Sequence, residues 1–381
     1  MIYFNNAATS YPKPPKVLEK VKKYLETPPL SSGRSNSFYS NSVQILAECR
    51  KNLANLLDIK NPSLISFTSG ATESLNLAIL GLAYQNQHFI TSVIEHNSVL
   101  RPLKTLENKG EIALSLIECD ENGMILTEEI EKNIKKNTLA LVINHCSNVT
   151  GALQDLKEIS NIAKEHGILL IVDASQSMGS HLFSLKEIPL DILVFTGHKG
   201  LFGLEGIGGI YIREGLRILP LKTGGTGTES QNLLQPEKRP DVYEAGTMNM
   251  TGILSLSEGV SFILEEGADK IRKRKTELTD YLVREMLKIN NIRINAPFLK
   301  ERSGIVSFQS ETIGSEDMGY ILEAGYGIIA RTGVHCAPLI HDRLGNGKKG
   351  SVRISLSYFT KEEEIEFFLK ALKEIQKNKF S

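Results

Sequence analysis

Two strand ends set close together constrain this chain most. The apolar run Ile168-Leu169-Leu170-Ile171-Val172 stops at Asp173-Ala174-Ser175-Gln176, and a second run, Asp191–Phe195, stops at Thr196-Gly197-His198-Lys199-Gly200. Short apolar runs bounded by polar and small residues read as strands buried on both faces. In an open α/β sheet, ligands sit outside the carboxyl ends of the strands. The pattern therefore aims one carboxylate and one lysine at the same crevice.

Those two groups suit one cofactor. A lysine amine can carry an aldehyde as a Schiff base. A carboxylate facing a pyridine nitrogen keeps it protonated, so that the ring accepts electrons. Pyridoxal phosphate needs both, and Asp173 and Lys199 fit the two roles. Asp173 also reads as a helix N-cap, and Lys199 as a solvated loop lysine, so neither decides alone.

The neighbouring segments add anion and ring contacts. The strand Leu64-Ile65-Ser66-Phe67 feeds the turn Thr68-Ser69-Gly70-Ala71-Thr72-Glu73-Ser74, and an apolar helix follows over Leu75–Leu82. Backbone N–H groups and the helix dipole make such a start an anion site. We assign it the cofactor phosphate, with Ala71 and Thr72 as donors; capping by Thr68 or Ser69 is compatible. The glycine spacing of a Walker or dinucleotide loop is absent. A strand over His88–Val93 leads to His96, which could stack on a flat ring, exchange protons near neutral pH, or simply cap a loop. Further strands are expected at Ile112–Ile117, Leu139–Asn144 and Gly209–Ile212, with helices between the earlier ones. Cys146 reads as a packing thiol.

Val172-Asp173-Ala174-Ser175-Gln176, with Thr196-Gly197-His198-Lys199-Gly200-Leu201-Phe202-Gly203, resembles the core of the class V, fold type I pyridoxal-phosphate enzymes. The cysteine desulfurase and selenocysteine lyase group is the nearest match. The resemblance runs from Tyr3-Phe4-Asn5-Asn6-Ala7-Ala8-Thr9 to Arg353. It implies an α/β fold whose large domain holds a mostly parallel seven-stranded sheet, plus a smaller α+β domain. It implies that His96 stacks on the pyridine ring, that Asn148 and Gln176 approach the phenolic oxygen, and that Thr196 and His198 bind phosphate. Tyr243-Glu244-Ala245-Gly246-Thr247-Met248-Asn249 resembles the family's Glu-Ala-Gly-Thr-Pro-Asn, with Met248 in place of proline. There the threonine reaches the neighbouring subunit's phosphate, so Thr247 implies a homodimer with shared sites.

A second focus selects the chemistry. Arg331-Thr332-Gly333-Val334-His335-Cys336-Ala337-Pro338-Leu339 resembles the catalytic loop of the second, short-loop group of cysteine desulfurases. Taking sulfur from a substrate thiol requires a thiolate and leaves a persulfide. Cys336 is the candidate, with His335 and Arg331 as the neighbours expected to act on it. An isolated cysteine would otherwise read as a small apolar residue. Arg353 matches the family's arginine for the substrate carboxylate, held through a bidentate pair; Asn148 and Arg331 complete the substrate set. The activity implied is conversion of L-cysteine to L-alanine, with a sulfur-accepting protein as a further partner. A selenocysteine lyase, a β-lyase, an aminotransferase of the same class, or a non-catalytic sulfur-relay member are the competing readings.

Composition narrows the setting. The 381 residues are 41% hydrophobic and 23% charged, with Lys+Arg and Asp+Glu both 44. Near-zero net charge favours neither nucleic acid nor an anionic membrane as partner. No run reaches the ~18 apolar residues of a membrane span, and no signal peptide is evident at the start. Cys49, Cys119, Cys146 and Cys336 lie far apart without metal-like pairing, which suits a reducing cytoplasm. Residues 1–45 read as an irregular arm with one helix near Val17–Leu25, and Ser31–Ser37 as a polar loop, either on the plain surface or folded over the site; the resemblance implies that it borders the substrate pocket. Helices are expected at Val43–Leu57, Ile253–Glu265, Lys270–Leu287, Ser315–Ala324 and Thr360–Lys377, and strands at Gly304–Gln309, Gly327–Arg331 and Ser351–Ser357. The expected division is a large domain over 15–250, and a small one from 1–14 with 251–381.

Overall fold

The computed structural model describes residues 1–27, 37–83 and 86–377, with side chains from residue 42 onward in the second stretch. The apolar run after Ile168 forms the strand Leu169–Asp173, fourth of seven in one sheet. In spatial order the strands are Ile65–Thr68, Gly208–Ile212, Ile192–Thr196, Leu169–Asp173, Thr138–Asn144, Gln87–Ser92 and Ile112–Ile117. Only Gly208–Ile212 runs antiparallel to its neighbours. The expected α/β architecture with a large, mostly parallel sheet is what the chain adopts.

Burial on both faces explains the unbroken apolar strands. Ile192, Leu193, Val194 and Phe195 are each 0% exposed. At roughly 1.5–3 kcal/mol per fully buried large apolar side chain, this strand gains on the order of 6–12 kcal/mol before ordering entropy. Thr196–Gly200 thus hangs from a rigid support. The loops after the two central strands also touch backbone to backbone. A Cβ on Gly200 would lie 2.1 Å from Met178 O, which explains the glycine beside Lys199.

A second, antiparallel sheet carries the other half of the site. Its order is Arg331–Gly333, Ser351–Ser355, Ile305–Ser310 and Ile292–Ile294. The register places Arg331 directly opposite Arg353. Phe4, Phe308, Phe368 and Ile354 form a core beneath this sheet, separate from the cores on the two faces of the large one.

Several expected elements shift. The arm is not irregular throughout: Ile2–Tyr3 pairs in parallel with Ile328–Ile329, and a helix over Ser37–Leu57 begins before residue 43. The polar loop up to residue 36 lies outside the described residues. The strand expected over Gly327–Arg331 is two, Ile328–Ile329 and Arg331–Gly333, in different sheets. Helix Met250–Glu266 packs Ile253, Leu256 and Val260 into the core that holds Leu53 and Phe195. We therefore propose a domain boundary near Gly267 rather than at residue 250.

Candidate active site

The carboxyl ends of the central strands open into a cavity of about 350 Å³. Asp173 closes its strand and lies there with 6% exposure. Its Oδ1 accepts the Ser175 N–H at 2.9 Å and the Ser175 hydroxyl, which leaves Oδ2 available. Lys199 lines the same cavity. Burial pushes its pKa down to about 8; Asp173 opposes the shift, and Arg353 and Arg331 add to it. The acid and the amine predicted from the two strand ends are brought together.

Phosphate-sized anions would meet the start of helix Ala71–Leu82, four residues earlier than the periodicity suggested. No side chain caps it, and its N-cap, Gly70, has φ +152°, a left-handed value that favours glycine. Ser69, Gly70, Ala71 and Thr72 all border the cavity. Thr72 Oγ1 pairs with Ser98 Oγ at 2.8 Å. Glu73 is held aside by the Ser69 N–H at 2.6 Å and by Lys222 at 2.7 Å. Thr196 is 4% exposed and lines the cavity, as does His198, whose Nδ1 is buried without a partner. Gly206 also enters, because the antiparallel strand starts at this edge.

His96 is both a cap and a cavity residue. Its Nδ1 accepts the Ser98 N–H at 3.0 Å, so the neutral ring carries its proton on Nε2. Burial, then the Lys199 charge, push its pKa down to about 4. A ring that stays neutral near pH 7 suits stacking better than proton exchange. Gln176 lines the cavity but gives one Nε2 proton to Ala7 O at 3.0 Å. Asn148 donates to His335 O at 2.7 Å. Thr247 is exposed and borders a different pocket, with Ser69, Glu73 and Glu244.

The two arginines reach the cavity from the smaller sheet. Like charges directly opposite on paired strands repel, which marks the pair as kept for an anion. Arg353 is 1% exposed; Nη1 donates to Asn148 O at 2.9 Å and Nη2 to Asn5 Oδ1 at 3.3 Å, while Nε has no partner. Burial, with Arg331 nearby, pushes its pKa down to about 9.

Cys336 sits on a tight turn closed by the Ala337 N–H to Val334 O at 2.9 Å. Both central residues are left-handed, His335 at φ +50° and Cys336 at +59°. Non-glycine residues there cost about 1–3 kcal/mol each, a strain typical of functional sites. Arg331 Nη2 lies 3.5 Å from Cys336 Sγ. His335 instead pairs with Ser351 Oγ at 3.1 Å, and burial holds its pKa well below the ordinary value. Of the two neighbours expected to act on the thiol, only Arg331 contacts it. Cys146, read as packing, is buried yet borders the cavity.

Sequence reasoning missed the support behind the site. Glu95 is 0% exposed and accepts the Ser92 hydroxyl at 2.6 Å and the Asn144 N–H at 3.1 Å. Burial pushes its pKa up to about 8. Asn144 pairs in register with Asp173 and lines the cavity. The Glu95-His96 dipeptide after a strand was the available signal. Among the described residues, no cluster of three or more His, Cys, Asp or Glu could hold a metal.

An amine, an acid with an available oxygen, an uncapped helix start and a neutral imidazole on one cavity define a crevice that could hold pyridoxal phosphate. A family model described as aminotransferase class-V matches residues 2–368, and the chain belongs to that family. It is similar to a probable cysteine desulfurase of Pyrococcus abyssi, 33% identical over 390 residues covering 99% of this chain and 95% of the relative. Cysteine desulfurase IscS of Dictyoglomus turgidum is 29% identical over 98% of this chain and 94% of its own length. Among solved structures, the apo cysteine desulfurase of Thermococcus onnurineus NA1 matches with a TM-score of 0.92 at 32% identity, covering 99% of this chain and 94% of that one.

Proposed function

We propose that this chain is a pyridoxal-phosphate-dependent cysteine desulfurase that moves the sulfur of L-cysteine onto Cys336 and releases L-alanine. The observation that carries this reading is the Arg331 guanidinium. It borders the cavity shared by Asp173, Lys199 and Arg353, and it lies 3.5 Å from the Cys336 thiol.

Lys199 would hold the cofactor, Asp173 would face its ring nitrogen, His96 would stack on the ring, and Ala71, Thr72, Thr196 and His198 would receive its phosphate. Asn148 and Gln176 would approach its phenolic oxygen. Bound there, pyridoxal phosphate supplies a sink for electrons from the substrate Cα. Arg353 fixes the substrate carboxylate. Lys199 Nζ, at a pKa of about 8, takes the Cα proton and returns a proton to carbon. Cys336 Sγ attacks the substrate sulfur; the S–S bond forms as the Cβ–S bond breaks, and that electron pair stays on the substrate carbon. Carbon is reduced as sulfur is oxidised, so cysteine plus enzyme thiol gives alanine plus persulfide without an outside oxidant.

The reading extends to a homodimer in which Thr247 reaches the partner's phosphate site, to a sulfur-accepting protein, and to a cytoplasmic setting. No described helix is long and apolar enough to cross a membrane. The test is turnover of L-cysteine under a reductant. Equal alanine and sulfide, both lost in Cys336→Ala, support the proposal. Undiminished activity of that variant on cysteine removes the nucleophile, and activity confined to selenocysteine favours the lyase reading.

A further inference from the structure

We propose that a second, smaller cavity behind Lys199 is a binding site for one chloride-sized monovalent anion, held by Lys275. The inference is independent of the reaction assigned above. This cavity, about 40 Å³, is bordered by Lys199, Gly200, Lys275, Ser303 and Ser357. One water needs roughly 10–15 Å³ of such space, so there is room for about three waters or a single halide.

Three observations point to an anion rather than water alone. The first is charge. Two lysines and no carboxylate form the wall, whose remainder includes the apolar Phe202, Ile271, Ile305 and Leu356. Among the described residues, the one group acting electrostatically on Lys275 is the Cys146 thiol, and burial pushes that thiol's pKa up to about 11, so it brings no negative charge near pH 7. Lys199, by contrast, has Asp173. An ammonium taken out of water without a counter-charge is costly.

The second is donor direction. Lys275 Nζ donates to Ser180 Oγ at 3.1 Å, and Ser180 Oγ pairs with His181 Nδ1 at 3.0 Å. Of the three Lys275 N–H groups one is thus used, and two remain. The third is Ser303, 1% exposed, whose buried hydroxyl has no oxygen or nitrogen partner and meets only the Cys146 thiol, a weak one. Buried hydroxyls are nearly always paired. A cation with spare donors and a hydroxyl that has only a thiol beside it, on one small cavity, match a halide, which accepts from all and donates to none.

The test uses the holoenzyme. Crystals grown with bromide in place of chloride should show an anomalous peak within hydrogen-bond distance of Lys275 Nζ. In solution, chloride and bromide should raise Tm saturably above gluconate at matched ionic strength. Lys275→Met should weaken that halide response by about tenfold or more, as expected for loss of a charge-assisted contact, and Ser303→Ala should weaken it severalfold. If Lys275→Met does not fold, the bromide peak and Ser303→Ala still decide. Only water-level density beside Lys275, or equal halide and gluconate curves in the parent, would overturn the proposal.

Discussion

Replacing Arg353 by lysine keeps the charge and removes the fork. Arg353 presents five N–H donors, of which Nη1 and Nη2 each give one to the protein, to Asn148 O and Asn5 Oδ1. The Nε proton and one proton on each Nη are left, and the Nε group is buried and unpartnered. That is the geometry a carboxylate accepts side-on, through two parallel bonds. Lysine can restore one point contact but not the pair. A charge-assisted hydrogen bond is worth about 1.5–3 kcal/mol, so Arg353→Lys should raise KM for L-cysteine roughly 10- to 150-fold, with kcat changed much less. The assay is alanine formation against cysteine concentration under excess reductant, with Tm measured in parallel. A KM within twofold of the parent would refute the assignment of Arg353 to the carboxylate. So would a loss confined to kcat.

Three further outcomes are expected. Lys199→Ala should no longer retain pyridoxal phosphate covalently after borohydride reduction, measured by intact mass; retention would place the attachment elsewhere. In dimers of one Lys199→Ala chain and one Thr247→Val chain, the site with the intact lysine faces an intact threonine from its partner. It should bind cofactor like the parent, and weakened binding would mean that Thr247 serves its own subunit. Glu95, raised to about 8 by burial, stays protonated in the folded chain while its unfolded counterpart ionises above the ordinary value of 4.5. Its contribution to stability is present below about pH 4.5 and is lost as pH rises toward 8. Glu95→Gln should therefore match the parent near pH 4.5 and exceed it at pH 7 by on the order of 2–3 kcal/mol in denaturant unfolding of the apoprotein. A pH-independent difference would remove Glu95 as the cause.

The central site was legible because its parts are local to strand ends. The strand Ile112–Ile117 falls where the apolar run put it, and Leu169–Asp173 and Ile192–Thr196 fall within a residue. Asp173 and Lys199 follow from which ends those are. What escaped depends on partners distant in sequence. Ile2–Tyr3 is too short to show a period and exists because Ile328–Ile329 lies beside it. The helix Ala71–Leu82 begins in polar residues whose conformation is set by Gly70, so apolar periodicity began late. Ile292–Ile294 and Pro338–Arg343 are short elements held by packing. His335 beside Cys336 suggested a contact, but two successive left-handed residues send its side chain to Ser351 instead. Glu95, Asn144 and Lys275 acquire meaning only through neighbours that tertiary structure supplies.

The proposed reaction turns on the thiol beside Arg331 receiving sulfur from the substrate. The direct measurement is mass spectrometry of the holoenzyme after L-cysteine is added without reductant, with each cysteine-containing peptide resolved. One added sulfur should appear on the peptide carrying Cys336, in step with alanine formed in the first turnover. Alanine forming while Cys336 stays unmodified, or sulfur found on Cys146 alone, would contradict it.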